Sequence, residues 1–90
     1  MVMILDSGPS PKEIAIGVGD TVQFMNHDTV PHGVAGGAEP ARPDCPEITS
    51  IGVLMPGEIR STSPFTTAKT CDYHDSRVSS SQFTGRIVIR

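Results

Sequence analysis

The stretch EIAIGVGDTVQFMNHDTVPHGV, residues 13–34, decides the fold. Ile14, Ile16 and Val18 alternate with Glu13, Ala15 and Gly17, the period-two pattern of a strand with one buried face. Thr21 to Met25 alternates again, with Val22 and Phe24 opposed to Thr21, Gln23 and Met25, and such β-branched and aromatic residues fit a pleated surface. Gly19-Asp20 between the two runs reads as a hairpin dipeptide. Outward from this core the same texture continues. Met1 to Leu5 reads as a first strand, ended by the turn cluster DSGPSP. Val30 to Ala35 reads as a short strand, and residues 36–47, with prolines at 40, 43 and 46, as a loop. Ile48 to Leu54 reads as extended, Pro56-Gly57 as a turn, and strands are expected at 58–63, 65–73 and 82–89.

Short apolar blocks punctuated by 9 glycines and 8 prolines, with no helical period sustained over three turns, predict an all-β chain. Seven or eight short strands in 90 residues make one domain, residues 1–90, a β-sandwich or small barrel. The formal charge of −3 and the absence of a Lys/Arg cluster exclude nucleic acid and anionic membrane as main partners. No apolar run approaches the roughly 20 residues of a membrane span. No export signal is legible, since Met1 leads straight into strand residues. That leaves a chain read without its leader, a cytoplasmic protein, or one domain of a longer chain.

Two local groups carry chemistry. His27 and His32 lie in NHDTVPHGV (26–34), and Cys71 and His74 in CDYH (71–74). A thiolate and imidazoles arriving from separate loops at one end of a sandwich form a soft N/S site that selects copper or zinc. Each residue also has a plainer role: Cys71 as a small buried hydrophobe, His27 as an exposed turn residue, Cys45 in RPDCPE as a free or buried thiol. A Cys45–Cys71 disulfide is the strongest structural alternative, because it excludes a metal-binding thiolate. No phosphate loop, paired-carboxylate signature or G-x-S-x-G elbow is present.

VGDTVQFMNHDTVPHGV (18–34), MPGEIRSTSPF (55–65), CDYH (71–74) and FTGRIVI (83–89) together resemble the blue-copper cupredoxin family of plastocyanin and azurin, in the family's order. SPKEIAIGVGD (10–20) resembles its early strand. The resemblance implies a Greek-key β-sandwich of seven or eight strands and one mononuclear type 1 copper, Cu(I)/Cu(II), with His32, Cys71 and His74 as ligands. It implies that Asn26 ties the ligand loops together and that Tyr73 stands near the copper. The family's axial Met is missing, since all four methionines precede residue 56, so the axial position falls to Phe83, Gln82 or water. FTTAKT (65–70) lacks the family's glycine and aromatic spacing, and another strand register would carry Cys71 away from the copper.

The implied function is an electron carrier, not a catalyst, moving single electrons between redox partners outside the cytoplasm, in the periplasm or beyond. One alternative is an open copper site that binds or converts a small molecule such as nitric oxide or nitrite. The other is a metal-free β-sandwich binding module.

Overall fold

The structure, a computed structural model, describes residues 1–36, 45–75, 77 and 83–90. Among the described residues, nine strands and one short helix follow in chain order: β1 Val2–Leu5, β2 Gly8–Ser10, β3 Glu13–Ile16, β4 Gln23–Asn26, β5 His32–Gly36, α1 Pro46–Thr49, β6 Gly52–Leu54, β7 Ile59–Ser61, β8 Lys69–Asp75 and β9 Thr84–Ile89. They form two sheets, of order β2-β1-β4-β7 and β3-β9-β8-β5-β6. The expected all-β sandwich is therefore what the chain forms. No helix among the described residues is long and apolar enough to cross a membrane.

Alternation places the core. Val2, Ile4 and Phe24 point inward from the first sheet, and Val34, Leu54, Tyr73, Ile87 and Ile89 from the second. Phe65, Ile48 and Ile51 close the space between the sheets from connecting segments. Phe24 and Tyr73 meet across that space edge to face, with ring centroids 5.2 Å apart and planes at 86°.

The Gly19-Asp20 hairpin is corrected. β3 pairs in parallel with β9 in one sheet, while β4 pairs with β1 and β7 in the other, so the turn crosses between sheets. The reason is pairing with a distant segment. The Gly19 N–H donates to the Phe65 carbonyl at 2.7 Å, and the Phe65 N–H to the Asp20 carbonyl at 3.1 Å. Phe65 accordingly belongs to this connection, and β8 begins only at Lys69. Within the DSGPSP cluster, Gly8–Ser10 pairs with β1 as an edge strand, where proline's missing N–H is tolerated. Residues 46–49 form one helical turn opened by Pro46, not extended chain.

Cys45, at the start of that turn, is joined to Cys71 of β8 by a disulfide spanning 26 residues, with both sulfurs out of solvent. Lys69 Nζ reinforces the link with a bond to Glu47 Oε1 at 3.2 Å. A Cβ on Gly36 would stand 2.5 Å from the Cys45 carbonyl oxygen, so glycine lets α1 close onto β5. Gly85 has a similar duty. The Tyr73 ring lies over it, and a Cβ there would stand 2.3 Å from the Tyr73 ring carbon bearing the hydroxyl.

Two outcomes are expected in urea denaturation. Replacing both cysteines by serine lowers stability by about 3 kcal/mol, the loop-closure value for a bridge of this length. Gly85→Ala costs about 1–3 kcal/mol, because the Tyr73 ring must leave its place.

Candidate functional site

Asn26 organises one end of the sandwich. Its side-chain amide is buried and donates to the Val30 and Leu54 carbonyls, each at 2.9 Å, while its Oδ1 accepts the Asp28 N–H at 2.9 Å. One side chain thus ties the end of β4 to the 27–31 turn and to the end of β6. Asp28 is held in turn, its Oδ1 accepting the Thr29 N–H at 2.6 Å. Pro31 biases Val30 toward extended backbone and leads into β5 at His32.

His32 is 1% exposed and lies between two carboxylates. Its Nε2 donates to Asp28 Oδ2 at 2.7 Å, and its Nδ1 donates to Asp75 Oδ2. Asp75 Oδ1 accepts the Gly33 N–H at 3.0 Å and the Arg77 N–H at 2.8 Å. Carboxylate oxygens face both ring nitrogens, an arrangement that favours the protonated ring. A buried charge persists only when paired, and here the pairing comes from both sides. Phe83 covers the imidazole, with ring centroids 5.0 Å apart. A small cavity beside it is lined by Ile4, Pro9, Val34, Tyr73 and Phe83.

The expected ligand triad does not assemble. Cys71 Sγ is bonded to Cys45 and offers no thiolate. It also precedes Asp75 by four residues of β8, about 13 Å of strand, so it stands far from His32 even as a thiol. His74 is buried between Tyr73 and Asp75 on β8 and lines the same small cavity as His32, with no thiolate beside it. Tyr73 packs in the core, and its buried hydroxyl bonds to no described residue. Gln82 lies outside the described residues. His27 is exposed, as its turn position implies.

Sequence reasoning missed Asp28 and Asp75. The legible signal was the His-Asp pair in NHD and YHD, together with Asp75 sharing the strand face of Cys71 and Tyr73. A thiolate copper centre therefore does not fit these residues. Among the described residues, no group of three or more His, Cys, Asp or Glu is arranged around a common ion position. An imidazole nitrogen and a carboxylate oxygen meet where His32 Nδ1 faces Asp75.

Burial works against the charge on His32, but the bonds to Asp28 and Asp75 outweigh it and raise its pKa above the usual 6.5. The His32 bond and the Thr29 N–H lower the pKa of Asp28 below 3.8. A raised histidine contributes stability that is complete below about pH 6.5 and lost as pH rises through its folded value. A lowered aspartate contributes stability present above about pH 3.8 and lost below it. The metal-free protein is thus expected to show a stability plateau between about pH 4 and 6.5 that falls at higher pH. Urea midpoints across pH 4–9 measure this, and Asp75→Asn flattens the alkaline fall.

No protein-family model and no curated sequence matches the chain. Solved structures do. The purple cupredoxin from Nitrosopumilus maritimus superposes with TM-score 0.75 at 19% identity, over 99% of this chain and 97% of that one. A methionine-to-alanine mutant of amicyanin in its Cu(I) form gives TM-score 0.72 at 26% identity, over 99% of this chain and 79% of that one. A mutant fern plastocyanin gives TM-score 0.75 at 16% identity, over 99% and 98%. The two sheets, their order and this agreement over nearly the whole length lead to one statement: the chain has the cupredoxin fold.

Proposed function

We propose that the chain is a copper protein of the electron-transfer class that uses this fold, with the ion taken at His32 and Asp75 by nitrogen and oxygen. The carrying observation is the buried meeting of the His32 imidazole and the Asp75 carboxylate at the end of the sandwich. Imidazole and carboxylate are donors that Cu(II) accepts, and the Cu(I) amicyanin neighbour gives the precedent for copper in this fold. Copper, when bound, supplies the uptake and release of one electron from a redox partner protein.

The chain's own residues set the terms of binding. Asp28 fixes the ring plane through Nε2, as a partner on the far nitrogen of a ligand imidazole does. The Gly33 and Arg77 N–H groups hold the Asp75 carboxylate from behind. Phe83 and the Ile4 and Val34 side chains keep water from the imidazole. Binding must displace the Nδ1 proton, so copper uptake strengthens as pH rises. The disulfide favours an oxidising compartment, the periplasm or the extracellular space.

A metal-free binding module is the second reading, favoured by the fact that both His32 nitrogens are already engaged by carboxylates. Cu(II) titration of the disulfide-bonded protein, followed by optical and paramagnetic resonance spectra, separates the readings. The expected result is one equivalent bound with weak absorption and a nitrogen-coupled resonance, both lost in His32→Gln. An intense thiolate-to-copper band overturns the nitrogen and oxygen assignment. Failure to bind copper leaves the metal-free module.

A further inference from the structure

Methionines and a histidine that the site above does not use share the outer face of the first sheet. On β1, Val2 and Ile4 point into the core, so Met3 points away from it. On β4, Phe24 and Asn26 are buried, so Met25 also points away. The parallel register of these strands sets Met3 directly beside Met25, and Ile59 of β7 flanks Met25 on its other side. The ladder continues one residue past β4, where the His27 N–H donates to the Ile4 carbonyl at 2.9 Å. His27 therefore keeps the face of Met25, two residues further along. It is exposed, and Met3 and Met25 are partly so, which leaves this face open to solvent.

We propose that Met3, Met25 and His27 form a binding site for a soft monovalent metal ion, Cu(I) or its analogue Ag(I). Paired residues on adjacent strands stand about 4.8 Å apart, and residues two apart on one strand about 7 Å. Two unbranched thioether side chains and one imidazole span those gaps with ordinary rotamers. Thioether sulfur selects Cu(I) over harder divalent ions, and a neutral imidazole completes the set without adding charge. Met55, half exposed and beyond β6, shares no such register and serves as the internal control. The site lies on the opposite side of the first sheet from the core, and it does not depend on the reading of His32.

Two measurements test it. The first is methionine methyl NMR of the wild-type protein during Ag(I) addition. The second is anaerobic competition for Cu(I) against a bicinchoninate chelator. The Met3 and Met25 methyl signals are expected to shift together and saturate at one equivalent, while Met55 stays still. Met3→Leu with Met25→Leu keeps the apolar volume and is expected to weaken Cu(I) binding by roughly tenfold or more, as is His27→Asn. Met55→Leu leaves the affinity unchanged. The proposal is overturned if Met55 shifts in step with the other two, if the leucine variant binds as tightly as wild type, or if Met55→Leu weakens binding as much as the Met3 and Met25 changes do.

Discussion

Strand β8 carries the constraint on which the rest of the molecule depends. Its inward positions fall every second residue, and they are Cys71, Tyr73 and Asp75. The first is covalently joined to the 45–49 turn, the second fills the centre of the core against Phe24, and the third reaches His32. One strand phase therefore supplies the cross-link, the edge-to-face Phe24–Tyr73 contact between the sheets and the carboxylate beside His32. A slip of one residue would turn all three to the other face.

That phase also explains why a copper-type fold carries no copper-type thiolate. In the proposed reading, a metal ligand would have to reach the end of the sandwich where β5 begins at His32. Asp75 occupies that end of β8, while Cys71 lies deeper, bonded to Cys45. The cysteine contributes to stability and the aspartate to the site. The partner of the imidazole is thus a carboxylate, a hard anion that favours the protonated ring. The cost of burying that charge is met by two carboxylates and by backbone N–H groups of Gly33 and Arg77.

Much of this was legible beforehand. The alternation in residues 13–25, the order of the turn motifs and the final FTGRIVI pointed to the cupredoxin sandwich that the chain forms. Asn26 bonds to the Val30 and Leu54 carbonyls near His32, and Phe83 packs against the His32 ring. The partners of His32 were not legible from spacing. Cys71 and Asp75 present the same face of one strand, and only their depth along it distinguishes them. Likewise Gly19-Asp20 has the chemistry of a hairpin, yet Phe65, more than forty residues later, captures its backbone groups.

The sequence by itself determined the class of fold, because period-two alternation and turn residues are local properties of the chain. It also determined which side chains could do chemistry: three histidines, two cysteines and four methionines. Tertiary structure alone decided which of them meet. Strand register and sheet order brought Asp75 to His32, Cys45 to Cys71 and Met3 to Met25, across 43, 26 and 22 positions. Such distant pairings depend on how whole sheets pack, and no local pattern encodes them.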